Sequence, residues 1–260
     1  MFDVSTFDFS TSALIGILPF IAIGFCAQLV DGAVGMAYGT ISTTLLVSMG
    51  VDPKFASAGV HTVESFTTCV SGISHVLHRN VDWTLFARLV VPGVIGGVLG
   101  AYVLTQVSAA TARPIVLTYL ASIGLYLLWR GIMHRHTEKK PKIVEPLGLV
   151  GGFLDAAGGG GWGPVVTSNL LVQGGSPRKV IGTVNTAEFF VTVTISATFI
   201  ATLGLRAFTV QTVGLLIGGL VAAPLGARVA KKVEADRLLT LVGIVLTATS
   251  LFGVYRALAG

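Results

Sequence analysis

One glycine-broken segment occurs twice in this chain, and no other feature restricts its fold as strongly. Asp31-Gly-Ala-Val-Gly-Met-Ala-Tyr-Gly39 returns as Asp155-Ala-Ala-Gly-Gly-Gly-Gly-Trp-Gly163, at an offset of 155 − 31 = 124 residues. The same register continues without a gap to Glu64 and Glu188. A repeat of this kind indicates two related halves, each of which contains the same break.

The composition places both copies of the break in a membrane. Of the 260 residues, 53% are hydrophobic and 11% are charged, and the mean hydropathy is +0.83. The recurring apolar stretches can cross a hydrocarbon core about 30 Å thick, and strand-like alternation is absent. We therefore predict an all-α polytopic membrane protein. The net charge of +5 comes from basic residues at segment ends, so we expect a lipid bilayer and no nucleic acid as partner.

The apolar segments predict helices on both sides of a basic connector. Those before it are 13–30, 33–49, 54–78, 83–107 and 112–133, and those after it are 147–157, 161–173, 178–203, 207–230 and 236–257. This pattern divides the chain into a first transmembrane repeat (1–133), a basic connector (134–146) and a second transmembrane repeat (147–260).

Charge indicates how the broken segments lie in the membrane. The connector and a second basic cluster at 228–237 are both expected in the cytoplasm. A single crossing by 147–173 would put them on opposite sides, whereas a re-entrant hairpin keeps both inside. Three crossings then follow each hairpin, so the halves insert with opposite orientations. We predict an inverted repeat with six crossings and two hairpins, with the alternative that 13–30 spans by itself.

The two hairpin tips are the candidate substrate site. A helix begins after each break, so free backbone N–H groups and the positive end of the helix dipole face the tip. Glycine lets a ligand approach the backbone closely. This chemistry suits an anion; the alternative is that the glycines only permit tight helix packing. The tip residues are Gly35, Met36, Ala37, Tyr38 and Gly39 in the first half and Gly159, Gly160, Gly161, Trp162 and Gly163 in the second.

Four acidic residues inside apolar sequence require an explanation, because a charge at the membrane centre costs on the order of 2.5–3.5 kcal/mol. They are Asp31, Glu64, Asp155 and Glu188. Either they take up protons during transport, or the aspartates cap the helix tips and the glutamates bond the broken backbone.

His61 and Asn185 also match in register, one turn before Glu64 and Glu188. The imidazole of His61 is a candidate donor to an oxyanion and a candidate proton carrier, although a single buried histidine is more often a structural residue. We include both positions in the predicted substrate site.

Absent motifs and the spacing of the glycines further restrict the function that we expect. The chain has no phosphate-binding loop, no zinc-hydrolase motif and no Cys/His cluster, so we expect no enzyme activity, no cofactor and no metal. The glycines of 93–100 and 214–226 are spaced for close helix contact. We interpret them as internal packing faces, with a homodimer interface as the alternative.

The paired segments resemble the signatures of the sulfite exporter TauE/SafE family, also called the toluene sulfonate uptake permeases. The resemblance rests on Gln28 to Gly39 and Gly151 to Pro164 and extends over nearly the whole chain. It implies a bacterial inner-membrane transporter of sulfur-containing anions, such as sulfite, sulfoacetate or other organosulfonates, commonly acting as an exporter.

We therefore expect a secondary transporter that holds its anion between the two breaks and works by alternating access. The alternative is a cation or proton antiporter in which the four intramembrane acids bind the ion.

Overall fold

The computed structural model describes residues 11–34, 36–132, 141–204, 209–230 and 235–259. Within these ranges the chain is helical and contains no strand, so the predicted all-α fold is confirmed there. The helices are α1 (Thr11–Val34), α2 (Tyr38–Ser48), α3 (Pro53–Leu77), α4 (Trp83–Gln106), α5 (Ala109–Ile132), α6 (Glu145–Gly158), α7 (Ser168–Val172), α8 (Pro177–Leu203), α9 (Val210–Ala230) and α10 (Ala235–Ala259). A π-helical turn, Trp162–Thr167, runs directly into α7.

The helix starts follow from local sequence chemistry. Asp52 accepts a hydrogen bond from the backbone N–H of Lys54, and Pro53 occupies the first helical position of α3. Asp82 likewise accepts from Thr84 and Leu85 at the start of α4. These caps explain why the predicted boundaries of the long helices lie within a few residues of those observed.

The end of the helix before the first break differs from the prediction. The apolar pattern ended the first helix at residue 30, whereas α1 continues to Val34, and Met36 and Ala37, which lie within the predicted tip, are outside any helix. Asp31 therefore lies inside the last turn of α1, from which its carboxylate reaches forward to Tyr38. Gly35 and residues 133–140, which include the first part of the predicted connector, lie outside the described residues.

The short helices that follow the breaks, and α6 before the second break, are too short to cross a membrane alone, whereas α1 before the first break has 24 residues. Tyr38–Ser48 and Trp162–Val172 begin and end in the same register, since 162 − 38 and 172 − 48 are both 124. The 14 residues of α6 extend about 21 Å at 1.5 Å per residue. Three described stretches have the length and composition of membrane spans: Trp83–Gln106, Ala109–Trp129 and Arg178–Leu203.

Helix packing follows one rule on both sides of the connector. The first helix of each half packs against the third long helix of the other half: α1 lies against α9, and α6 lies against α4. Two further close pairs, α3 with α8 and α5 with α10, join corresponding helices of the two halves, and α4 packs against α8 as α9 does against α3. Exchanging the halves therefore maps these long-helix pairs onto one another.

Glycines make the α1–α9 and α4–α6 contacts close. A Cβ at Gly96 would meet the backbone of Leu149 and Phe153 on α6, and a Cβ at Gly218 would meet Ile21 and Phe25 on α1. The side of α4 that carries Gly97 packs against Ile195 of α8. These glycine faces are thus occupied within the chain, as in the internal-packing interpretation.

Candidate functional site

Both breaks use backbone conformations outside the normal helical range. Ala37 has φ of 100°, a left-handed conformation that is uncommon for a residue with a side chain. Gly159 and Gly160 have φ of 71° and 144°. Each break therefore redirects the chain within two or three residues, and a new helix begins directly after it.

The two breaks touch each other in the interior of the protein. A Cβ built on Gly160 would collide with the backbone of Gly39 and Thr40, and one on Gly163 would lie 2.7 Å from Cβ of Met36. Met36 to Thr40 and Gly159 to Gly163 are all buried. The structure thus brings the described tip residues of both halves into one place.

Each helix that follows a break is capped by the repeated aspartate. Oδ1 of Asp155 accepts hydrogen bonds from the backbone N–H groups of Gly161, at 2.8 Å, and Trp162, at 2.9 Å. Oδ1 of Asp31 accepts from the N–H of Tyr38 at 3.3 Å. The N–H groups that the sequence assigns to a substrate anion are therefore bound to carboxylates of the chain itself.

His61 joins the first half to the second. Its ring is fully buried, with Nδ1 2.7 Å from the Ser57 carbonyl oxygen and Nε2 3.1 Å from Oδ2 of Asp155. The Ser57 hydroxyl donates to the carbonyl of Ala156, so the same turn of α3 also holds the end of α6. Asp155 thus caps one helix with one oxygen and binds His61 with the other.

Asn185 does not repeat this arrangement. Its amide nitrogen donates to the Ile181 carbonyl, and its amide oxygen accepts from the Ser71 hydroxyl. The register that aligns Asn185 with His61 therefore does not give the two residues equivalent contacts.

The two glutamates lie beside the aspartates. Glu64 is close enough to Asp155, Glu188 and Asp31 for the carboxylates to repel one another, and Glu188 faces both aspartates. Oε1 of Glu64 would lie 3.1 Å from a Cβ on Gly39, while Oε2 is buried without a hydrogen-bond partner. All four predicted acids therefore converge on the contact between the breaks. In the described part of the chain, no three His, Cys, Asp or Glu side chains have a geometry that fits a metal ion.

The two tip aromatics are anchored by their polar edges. The Trp162 indole N–H donates to the Val184 carbonyl at 3.2 Å, and the Tyr38 hydroxyl donates to the Leu215 carbonyl at 3.4 Å. Both side chains are almost completely buried. In this conformation they hold the breaks against α8 and α9.

Sequence reasoning missed several polar groups at the breaks. The Tyr119 hydroxyl donates to the Gly160 carbonyl at 3.0 Å, yet nothing in the apolar pattern of α5 distinguishes this tyrosine. Thr43 and Thr167 have buried hydroxyls without a hydrogen-bond partner. These two occupy the same position in the repeat, since 167 − 43 is 124, so the repeat itself was the signal that identifies them.

Comparison with known proteins agrees with this architecture. The profile of the family described as "Sulfite exporter TauE/SafE" matches residues 20–253. The chain is 42% identical over 236 residues to "Probable membrane transporter protein YtnM" of Bacillus subtilis (strain 168), covering 87% of this chain and 79% of that protein.

It is also 28% identical over 128 residues to "Probable membrane transporter protein YunE" of the same organism, covering 48% of this chain and 45% of that protein. No solved structure matches the chain significantly. The paired glycine breaks, the apolar helices and the match over residues 20–253 lead to one conclusion: the chain belongs to the sulfite exporter TauE/SafE family.

Proposed function

We propose that this membrane transporter carries sulfur-containing anions, such as sulfite, sulfoacetate or other organosulfonates, out of the bacterial cell across the inner membrane. Its family supports the substrate class, and its relatives are named as membrane transporters. The observation that carries the proposal is the meeting of two capped helix starts, one from each half, at a single buried point.

The anion site that we propose uses groups already directed at that point. Carboxylates now accept the N–H groups of Tyr38, Gly161 and Trp162. A sulfonate or sulfite has the same oxyanion chemistry, so it can replace a capping carboxylate at a helix start. The buried hydroxyls of Thr43 and Thr167 then supply donors that have no other partner.

The transport cycle that we propose is alternating access by two inverted halves. The long-helix pairs that join the two halves support it, because each half presents equivalent helices to the other. In this proposal three crossings follow each hairpin, the hairpins enter from opposite faces, and the connector and the Arg88–Glu145 ion pair lie on the cytoplasmic side.

Counterflow in proteoliposomes tests this function. Vesicles loaded with sulfite or sulfoacetate should take up the labelled anion faster than protein-free vesicles, with saturation. A Gly160→Val variant should lose this flux, because its side chain would occupy the contact between the breaks. Gly50→Ala, at a surface turn with open space around it, is the control that should retain it. Absence of flux for every sulfur oxyanion tried would contradict the proposal.

The convergence of four acids favours a second candidate, a cation or proton antiporter. This function predicts sodium or proton exchange in vesicles that contain no sulfur anion. It also predicts that Glu64→Gln abolishes the exchange, since the unpartnered Oε2 of Glu64 would be part of the ion site.

A further inference from the structure

The hydrogen bonds of His61 determine where one proton must lie. Nδ1 is 2.7 Å from the Ser57 carbonyl, which only accepts, so Nδ1 carries a hydrogen. Nε2 is 3.1 Å from Oδ2 of Asp155, and both side chains are buried. Without a proton between them, an imidazole lone pair would face an ionised oxygen in a dry interior. The pair therefore holds one proton, on Nε2 or on Oδ2.

The same carboxylate competes with an anion. Oδ1 of Asp155 accepts the N–H groups of Gly161 and Trp162, which are the donors of the proposed substrate site. While Asp155 is charged, it binds these donors strongly; as a neutral acid it binds them weakly. Transfer of the pair's proton from Nε2 to Oδ2 therefore makes the donors available to a substrate anion.

The surroundings reinforce this competition. Glu64 of α3 and Glu188 of α8 lie close enough to Asp155 and to Asp31 of α1 for charge repulsion, and the hydroxyls of Tyr119 on α5 and Tyr38 on α2 are bound to backbone carbonyls. The nearest basic side chain of α4, Arg88, is bound to Glu145 at the far end of α6. Of the ion pairs between described residues, the one that reaches this cluster is His61–Asp155. An anion that enters thus meets negative charge unless protons are bound.

We propose that the His61–Asp155 pair is a proton-binding site and that an anion binds at the breaks only together with this proton. The inference rests on the proposed function and identifies the proton as the ion that is coupled to anion transport. The proton moves between Nε2 and Oδ2: imidazolium and carboxylate become neutral imidazole and carboxylic acid, and the pair keeps zero net charge. Loss of the proton leaves the pair at −1 and excludes the anion.

Calorimetry with toluenesulfonate tests the coupling, because this anion does not titrate between about pH 5 and 9. Repeating the titration in buffers of different ionisation enthalpy measures proton uptake. The protein should bind one proton with each anion at alkaline pH, and its affinity should fall about tenfold per pH unit there. Binding without proton uptake and without this pH dependence would overturn the proposal.

Asp155→Asn is the decisive variant. Its Oδ1 still accepts from Gly161 and Trp162, and its Nδ2 donates to Nε2 of neutral His61, so every contact survives without a titratable proton. Anion binding should persist with no proton uptake at this site. Asp82→Asn, which alters the aspartate that caps α4 without touching the His61–Asp155 pair, should behave like the unmodified protein. Equal proton uptake by both variants would overturn the assignment.

A measurement without substrate separates this inference from the transport function. In protein with ¹⁵N-labelled histidine, the His61 signal, assigned with His61→Asn, should report a protonated Nδ1 throughout and an Nε2 that changes with pH. In Asp155→Asn that Nε2 signal should be that of a neutral ring. Identical, pH-independent His61 signals in both proteins would refute the proton site even if anion transport were demonstrated.

Discussion

Gly160 shows how much depends on single residues at the breaks. Its φ of 144° lies in a region that side chains rarely adopt, its missing Cβ faces Gly39 and Thr40, and its carbonyl accepts from Tyr119. Conformation, contact between the halves and a buried hydrogen bond thus coincide at one position. These three contributions are separable by substitution.

Gly160→Ala should destabilise the protein by about 3 kcal/mol, of which about 1 kcal/mol is backbone strain and the rest is steric conflict. Gly50→Ala imposes a similar strain at φ of 98° but meets no atom within 4 Å, so it should cost about 1 kcal/mol. Thermal unfolding of the purified proteins followed by circular dichroism measures the difference. Equal losses would show that the contact between the breaks contributes nothing.

Tyr119→Phe should remove one buried hydrogen bond and leave the ring in place against Gly158. We expect a loss of about 1 kcal/mol in stability and a slower anion flux, because the Gly160 carbonyl loses its donor. Tyr102→Phe, on a membrane-facing position of α4, is the matched control and should change neither quantity. Unchanged flux in both variants would assign Tyr119 to packing alone.

At the residue scale, the sequence predicts which residues lie at the breaks better than it predicts which residues contact each other. The repeat identified Asp31, Asp155 and the tip glycines, and all four acids converge in the structure. It placed His61 beside Glu64 on one helix face, whereas the side chain that the ring binds across the fold is Asp155, 94 residues away. Hydrophobic periodicity describes one helix at a time, so it contains no information about which helices meet.

At the scale of elements, the glycine faces determine how the helices pair. Gly96 brings α4 against α6, and Gly218 brings α9 against α1, each by direct backbone contact. The sequence predicts both faces from their spacing, and the boundaries of the long helices from caps and prolines. The predicted tip, Gly35 to Gly39, contains the observed break at Met36 and Ala37, but the predicted end of the first helix at residue 30 is four residues earlier than the observed end at Val34.

Gly96→Ala and Gly218→Ala should each destabilise the protein by about 1–3 kcal/mol, since the added methyl group would meet backbone rather than a side chain that can move. Gly16→Ala on α1 has open space around it and should be neutral or stabilise by up to about 1 kcal/mol. Melting temperatures of the three variants in one detergent test this. A loss at Gly16 as large as at Gly96 would indicate general sensitivity of the helices rather than specific contact.

At the scale of the whole molecule, the proposed inverted insertion has a direct test. Met49 and Ser176 are exposed and follow the short helices α2 and α7 in corresponding parts of the two halves. With Cys26 and Cys69 replaced, Met49→Cys should react with an impermeant maleimide added to intact cells, and Ser176→Cys only after the membrane is broken. Labelling of both from one side would mean that the halves share one orientation.

The pairing of α1 with α9 also has a consequence for biosynthesis. The packing partner of Thr11–Val34 is Val210–Ala230, so the ribosome completes α1 and the first break long before the helix that covers α1 exists. Until then no residue of the second half covers the polar backbone of that break in the lipid. The nascent first half is therefore expected to need protection by the insertion machinery, and two halves expressed as separate chains should accumulate only when they are made together.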